Sequence, residues 1–415
     1  NPSGRLVEHF FRHESANLVA VLTRAFGIAR LDLVEDMVQS AMIEAMQTWR
    51  HRGIPDNPAG WIHRVARNRI LDALRREKIH QRAVALAGQS EEASESLLDE
   101  WLSEEQIPDS LLRMMFVCCH PSLDRTSQIA LTLKVLCGFG MGEIARGLLM
   151  SKEAVKKRIQ RAKQRLAEQQ VSLELPQPDG LQSRLDSVHE VLYLMFNEGY
   201  STTMGAEPIR DDICEEAARL CHMLCQHQPL GTPTTFALLA LMLFHAARLD
   251  SRTDDTGAAI LLEDQDRSLW DRKLIAVAEG WLARSKVDHP TLYHLEAAIA
   301  MMHCRADGVE QTDWKAIVRL YDRMLQIHDS PVFRLNRAIA VAQSGDLQEG
   351  LAELESIRNH PDMKDYFLLE CAVARLHELS GDRIAARASL NAALGANMAA
   401  HERTLLERRL RELNG

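Results

Sequence analysis

Apolar residues recur every three or four positions along most of this chain, and that spacing restricts it to helices. In LDLVEDMVQSAMIEAMQTW the residues that follow the rhythm are Leu33, Met37, Ala41, Ala45 and Trp49, which share one face of an α-helix. Alternating runs of Val, Ile, Thr and Tyr, which are typical of strands, are nearly absent, whereas Ala, Leu, Glu and Arg dominate. We therefore predict an all-α protein.

Two stretches of different composition divide the helical segments, so the 415 residues are expected to form several domains. From Glu91 to Asp109 there are eight acidic residues and no Lys or Arg, which is typical of a flexible linker. The stretch VSLELPQPDG contains two prolines and a glycine and indicates a second boundary. The predicted parts are a helical domain at 1–80, an acidic linker at 81–108, a second helical domain at 109–170 and a helical extension at 171–415.

The extension contains a degenerate repeat. GDLQEGLAELESI and GDRIAARASLNAAL open with the same Gly-Asp pair, at Gly345 and Gly381, which are 36 residues apart. A related segment starts at Asp313, 33 residues before the aspartate of the first pair. Recurrence at about 34 residues is typical of tetratricopeptide helical hairpins. We predict a tetratricopeptide-like superhelix whose repeats are clearest over 312–395.

A basic helix is predicted at GWIHRVARNRILDALRRE, residues 60–77. The chain has a formal net charge of −9, yet from Trp61 to Lys78 there are six basic and two acidic residues. On a helical wheel the apolar and basic residues separate onto opposite sides. The apolar side has Ile62, Val65, Ala66, Ile70 and Ala73, and the basic side has Arg64, Arg67, Arg75 and Lys78. Taken alone, this segment is compatible with a solvated surface as well as with nucleic-acid contact.

The segment MGEIARGLLMSKEAVKKRIQRAKQRL has helix-turn-helix spacing. A short helix is predicted at 141–146, a break near Gly147, and an N-cap hydroxyl from Ser151 for the next helix. The second helix has a predicted buried stripe of Val155, Ile159, Ala162 and Leu166. Its opposite side presents Glu153, Lys157, Gln160, Arg161 and Gln164.

This second helix is the more basic of the two. From Lys152 to Arg165 there are seven basic residues and one acidic residue. Side chains near the start of such a helix can reach base edges in a major groove, and flanking lysines can contact phosphates. Two local positive patches on an acidic chain fit a DNA footprint, and the alternative is an ordinary surface hairpin.

In this order and at this separation, three segments resemble a bacterial sigma factor of the extracytoplasmic-function (ECF) type, in the sigma-70 family. VEDMVQSAMIEAMQTW looks like the polymerase-gripping helix of sigma region 2, and GWIHRVARNRILDALRRE resembles the next helix, which faces the −10 element. ALTLKVLCGFGMGEIARGLLMSKEAVKKRIQRAKQRL resembles region 4, which reads the −35 element. LRMMFVCCHPSL, LYLMFNEGY, LLEDQDRSLWDRKLI and SPVFRLNRAIAVA are similar to a subgroup with a long tetratricopeptide-like C-terminal extension.

The resemblance implies a transcription factor that catalyses no bond chemistry and needs no cofactor. Its partners would be promoter DNA and core RNA polymerase, at the β′ clamp and the β flap. The loop HRGIPDNP would capture an unstacked −10 base. The implied polymerase-binding residues are Asp36 and Gln39. The implied −10 residues are Pro55, Asn57, Trp61, Arg64, Arg67 and Asn68. The implied −35 residues are Ser151, Lys152, Glu153, Lys156, Lys157, Arg158 and Arg161.

The extension, on the same resemblance, is expected to act as a regulatory or interaction domain for a protein or a ligand. Two other functions remain open. One is a helix-turn-helix regulator with a tetratricopeptide sensing domain, independent of polymerase, and the other is a helical scaffold with no DNA role. The low cysteine density and the lack of a long apolar run lead us to expect a cytoplasmic protein without a membrane span.

Three further features have a structural and a functional interpretation. Cys214, Cys221 and Cys225 share a helix face, which suits a core stripe better than a zinc site. CCH at Cys118 is likewise interpreted as packing. The polar segments NEGY, at 197–200, and EDQDRSLWD, at 263–271, could form a ligand or protein site. We favour helix caps and ion pairs.

Overall fold

The computed structural model describes residues 2–84, 106–148, 150–200, 211–252, 260, 262–364, 366–396, 398 and 400–414. Side chains are described in these ranges except at 2–12, 78–84, 106–107, 400–401 and 414. Within this part of the chain every regular element is a helix, which confirms the predicted fold class. Contacts divide the chain into two compact units, residues 1–194 and 195–415.

Unit 1 begins with three long helices and continues with a cluster of shorter ones. The first three are α1 (Pro2–Phe26), α2 (Leu31–Arg52) and α3 (Pro58–Val84). The next are α4 (Gln106–Cys118), α5 (Arg125–Val135), α6 (Met141–Gly147) and α7 (Lys152–Glu168). Helix α8 (Pro178–Tyr200) begins in unit 1, and its last residues belong to unit 2.

Helix α2 ends at Arg52 because a glycine follows it. Gly53 has φ of 81°, a left-handed conformation that favours glycine, and its N–H donates to the Trp49 carbonyl at 3.0 Å. Of the predicted apolar stripe, Ala41 and Ala45 are fully buried, whereas Leu33 is half-buried. The core face is rotated because α1 and α3 both pack against α2. It consists of Leu31, Val34, Val38, Ala41, Met42 and Ala45.

Helix α1 is buried on all sides in its centre. Residues 18–22 are five consecutive apolar residues, and each is at most 4% exposed. A helix that is apolar all round must be covered from more than one direction. Helices α2 and α3 cover it on one side, and α4 and α5 contact it as well. The predicted domains at 1–80 and 109–170 therefore share one core.

The predicted boundaries differ from the structure in two places. Most of the linker at 81–108 lies outside the described residues, but its ends at 81–84 and 106–108 are helical. The division between the units falls within α8 and not at residue 170. The reason is that α8 is tied to unit 1 by Arg184, which donates to the Phe116 carbonyl at 2.5 Å, and by the Arg125–Glu190 ion pair.

Unit 2 consists of helices joined mostly by short turns. They are α9 (Asp211–Gln226), α10 (Pro233–Ala246), α11 (Arg272–Arg284), α12 (Leu292–Arg305), α13 (Trp314–Ile327), α14 (Pro331–Gln343), α15 (Leu347–Ile357), α16 (Phe367–Leu379), α17 (Arg383–Leu394) and α18 (Ala400–Asn414). Consecutive helices pack against each other, most extensively α14 on α15 and α16 on α17.

The repeated Asp of the sequence caps a helix in each repeat. Asp313, Asp346 and Asp382 accept hydrogen bonds of 2.9–3.0 Å from the backbone N–H three residues later. An N-cap carboxylate satisfies one of the free donors at a helix start. Gly345 and Gly381 precede two of these caps with φ of 112° and 80°, so the Gly-Asp pair sets the turn and the cap together.

The two polar segments make structural contacts, and EDQDRSLWD includes a cap and an ion pair of the kind that we favoured, because Asp271 caps α11 and Glu263 pairs with Arg375. Tyr200 of NEGY accepts a hydrogen bond from Arg248 at 2.6 Å, and the guanidinium of Arg252 lies 3.5 Å from the centre of its ring. In EDQDRSLWD, Arg267 donates to the Ala306 carbonyl at 2.8 Å, beyond the last turn of α12. Trp270 donates to Ser251 at 2.8 Å. These contacts join the end of α8, residues 248–252, residues 267–270 and the end of α12 in one polar layer.

The cysteine stripe belongs to the core, which confirms the structural interpretation. Cys214, Cys221 and Cys225 are at most 5% exposed, and the last two thiols contact the Thr235 carbonyl at 3.7 Å. Cys118 and Cys119 are fully buried in unit 1. In the described ranges no cluster of His, Cys, Asp or Glu is arranged to hold a metal ion. No described helix is long and apolar enough to cross a bilayer.

Ion pairs among two arginines and two glutamates join the C-terminal helices of unit 2. We expect Arg409→Ala to lower the free energy of unfolding by about 1–3 kcal/mol. Arg409 contacts Glu378 at 2.7 Å and Glu263 at 3.7 Å, and Arg375 contacts the same two carboxylates. Burial would raise the pKa of Glu378, but Arg409 and Arg375 outweigh it and lower the pKa below 4.5.

Urea unfolding of the full chain measures this effect. A lowered folded-state pKa means that the stabilisation is present above about pH 4.5 and is lost as the pH falls through the folded value. The loss caused by Arg409→Ala should therefore shrink in acid. Arg408→Ala, on the same helix but 51% exposed, is the control and should change stability by no more than about 0.5 kcal/mol. Equal losses for both variants would contradict the prediction.

Candidate nucleic-acid interface

The helix-turn-helix forms as the sequence predicted. Helix α6 ends at Gly147, and α7 begins at Lys152 after the Ser151 cap. The Ser151 hydroxyl accepts a hydrogen bond from the Ala154 N–H at 3.1 Å. Because this cap sets the first turn of α7, it also fixes the direction in which the following basic side chains project.

Helix α7 has one apolar and one basic side. The predicted stripe of Val155, Ile159, Ala162 and Leu166 is buried, with no member above 3% exposure, and packs against α5 and α6. The opposite side is exposed to solvent. Of the predicted −35 residues, the exposed ones are Ser151, Lys152, Glu153, Lys156, Lys157 and Arg161.

Arg158 differs from the other predicted −35 residues. Its guanidinium donates to the Asp124 carboxylate at 2.6 Å and to the Ser127 hydroxyl at 3.2 Å. Burial would raise the pKa of Asp124, but hydrogen bonds from Ser127 and the charge of Arg158 lower it. The carboxylate therefore stays ionised and holds Arg158 against the start of α5. Arg158 is therefore half-buried and paired, unlike the exposed cations of the same helix.

A cavity of about 510 Å³ lies between α7 and the turn that precedes α5. Lys157, Arg161 and Arg165 line it on the α7 side, and Ser122 and Ser127 line it on the other. Cations on one side of a concave surface suit the oxygens of a phosphate backbone, and Asp124, which also lines the cavity, is paired with Arg158. These cations therefore lie beside the exposed basic side of α7.

Helix α3 and the loop before it form the second basic surface. Ile62, Ala66 and Ile70 are fully buried, as predicted, and Arg64 and Asn68 are exposed on the other side. Lys78 falls outside the described side chains. Arg67 is half-buried, and Arg69 of the same helix forms an ion pair with Glu44 of α2 at 2.5 Å.

The loop at 53–57 is held by its own contacts to α3. The Asn57 side chain accepts a hydrogen bond from the Gly60 N–H at 2.8 Å and thus caps α3. Trp61 packs edge-on against Trp49, with 5.7 Å between ring centres, and is half-buried. Pro55 is also half-buried. The predicted −10 residues thus lie in the loop and the first half of α3. Asn57 and Trp61 also stabilise the fold, through the cap and the contact with Trp49.

One face of α2 is exposed and partly apolar. The predicted polymerase contacts Asp36 and Gln39 are exposed, and Ile43 and Met46 lie on the same face with 45% and 54% exposure. Residues at i, i+3, i+7 and i+10 share a helix face. Ile43 and Met46 were not among the predicted residues of this face, although their spacing from Asp36 was a usable signal in the sequence.

Lys163 was also missed, and its position joins the two halves of unit 1. Although it lies on α7, its ammonium contacts Asp32 of α2 at 2.6 Å and also pairs with Glu35. Lys163 is 11% exposed and Glu35 is 14% exposed. Burial would lower the pKa of Lys163, but the two carboxylates outweigh it and raise the pKa. No sequence signal could have found a partner about 130 residues away.

The Ser151 cap gives a testable prediction. We expect Ser151→Ala to lower the unfolding free energy of unit 1 by about 1 kcal/mol, because the Ala154 N–H loses its acceptor. Urea denaturation of the full chain, followed by a probe in unit 1, measures the change. Ser151→Asp keeps an acceptor and should retain wild-type stability. An equal loss in both variants would show that the cap does not hold α7.

Three family models match parts of this chain. Residues 10–79 match the model of sigma-70 region 2, residues 113–166 match sigma-70 region 4, and residues 184–286 match a family of unknown function, DUF6596. An uncharacterised protein of Rhizobium meliloti (strain 1021) is 38% identical over 350 residues, which is 82% of each chain. No solved structure matches the chain.

The matched ranges coincide with the two basic surfaces. The region 2 match includes α2 and most of α3, and the region 4 match includes the helix-turn-helix. Members of the sigma-70 family are DNA-binding initiation factors and not enzymes. Its region 2 and region 4 domains are those of a factor that recognises promoter DNA. The chain therefore belongs to the sigma-70 family, as an ECF-like sigma factor with a C-terminal extension.

Proposed function

We propose that this sigma factor binds core RNA polymerase through the exposed face of α2 and directs it to −10 and −35 elements. The observation that carries the proposal is that α3 and α7 both present basic side chains to solvent while their apolar sides are buried. Positive charge on exposed faces of an acidic chain suits phosphate contact.

Each surface has a separate task in this proposal. Ser151, Lys152, Glu153, Lys156, Lys157 and Arg161 address −35 DNA, and Arg158 supports them. Trp61, Arg64, Arg67 and Asn68, with Pro55 and Asn57 in the loop, address the melted −10 strand, where an aromatic ring can stack on a base. Asp36 and Gln39 meet the β′ clamp, and the region 4 domain meets the β flap.

Run-off transcription with purified core polymerase on a genomic library tests the proposal. We expect discrete start sites that depend on the added protein, and co-purification of polymerase subunits with it. If the protein bound duplex DNA without supporting transcription or retaining polymerase, a polymerase-independent helix-turn-helix regulator would replace this proposal. Absence of both activities would favour a helical scaffold.

We further propose that the extension is a tetratricopeptide-like regulatory domain. The Asp-capped helices α13, α15 and α17 support this, because each starts a repeat of the predicted period. Comparing the full chain with residues 1–200, which retain all of α8, tests the role in run-off transcription. Unchanged output from a folded fragment would count against regulation, and circular dichroism confirms the folding.

A further inference from the structure

A cleft of about 540 Å³ opens in unit 2 between α9 and α11, over α10. Its floor and one wall are apolar and include Leu239, Leu243 and Trp281. Val277, on the same wall, is 50% exposed. Small-molecule sites in proteins are concave, mainly apolar and of this volume. Promoter recognition uses none of these residues.

The rim of the cleft is acidic on one side. Asp211 and Glu215 are one turn apart on α9, and Asp250 lies across from them. Burial raises the pKa of Asp211, and the neighbouring carboxylates of Asp250, Asp212 and Glu215 raise it further. Arg219 also lines the cleft, but its guanidinium pairs with Glu216 at 2.9 Å. Like charges crowd this rim, and a cation placed there would relieve their repulsion.

We propose that the cleft binds a small organic cation, an ammonium or guanidinium group carried on an apolar body. The apolar body would cover Val277 and the floor, and the cationic group would lie against Glu215 and Asp250. The acidic rim would repel anions, and the apolar floor would disfavour cations that lack an apolar body.

Three probes with a phenylalkyl body test the proposal: 4-phenylbutylamine, 4-phenylbutan-1-ol and 4-phenylbutyrate. Isothermal titration of the full chain should show the amine binding about tenfold more tightly than the alcohol, and the carboxylate binding most weakly. Glu215→Gln should weaken amine binding about threefold and leave alcohol binding unchanged. Val277→Trp fills the cleft and should abolish binding of both.

Asp288→Asn is the matched control, because it removes one exposed carboxylate in unit 2 that does not line the cleft. It should leave amine binding unchanged. The proposal is overturned if 4-phenylbutyrate binds as tightly as the amine, if Asp288→Asn matches Glu215→Gln, or if the amine shows no binding at about 10 mM.

Discussion

Replacing Arg161 with alanine is expected to weaken binding of the polymerase complex to promoter DNA by about ten- to a hundredfold. Arg161 is exposed on the outward side of α7 and lines the basic cavity beside Lys157. A guanidinium at that position can pair with a base edge or a phosphate, and either contact contributes about 1–3 kcal/mol. Fluorescence anisotropy on a promoter found by run-off transcription measures the loss.

The salt dependence of the same measurement identifies the kind of contact. If Arg161 meets a phosphate, the slope of log affinity against log salt should fall by about one. Arg387→Ala removes an equally exposed arginine from α17 of unit 2 and should leave promoter affinity unchanged. A similar loss in both variants would mean that net charge, and not the α7 surface, drives binding.

Replacing Met46 with glutamate is expected to weaken binding to core polymerase at least about tenfold. Met46 and Ile43 are half-exposed on the face of α2 that also presents Asp36 and Gln39. Exposed apolar residues on a face with polar neighbours are typical of protein interfaces, and a buried charge there would lack a partner. Titration of labelled protein with core polymerase gives the dissociation constant.

Ile384→Glu is the control for this variant. Ile384 is 83% exposed on α17, so the same change of an apolar residue to an acid occurs away from the proposed interface. It should leave polymerase affinity within about twofold of wild type. If Met46→Glu were equally harmless, the polymerase would bind elsewhere on unit 1.

The basic helices were predictable because local rules govern them. A period of 3.6 residues separates the apolar and basic sides of α7, and Ser151 caps it through a bond that spans three residues. The same holds for the caps at Asp313, Asp346 and Asp382. Each of these features depends on neighbours within about one helical turn.

The structure adds to or differs from the sequence predictions where several helices meet. Arg158 was predicted from its position on the basic segment, and the structure adds an ion pair with Asp124, the N-cap residue of α5, which the sequence did not indicate. The core face of α2 is rotated from the predicted stripe because α1 and α3 cover it together. The first part of α8 belongs to unit 1 because Arg184 reaches the Phe116 carbonyl. In each case the partner lies more than 20 residues away or on another helix.

The sequence by itself determined the all-α fold, the helix-turn-helix, the two basic faces and the family. Helical periodicity, capping and charge patterning are local, so they can be read from neighbouring residues. Only the tertiary structure decided that Lys163 pairs with α2, that Ile43 and Met46 remain uncovered, and that an acidic-rimmed cleft lies over α10. These properties depend on which helix faces meet, and such pairings arise from packing between distant segments.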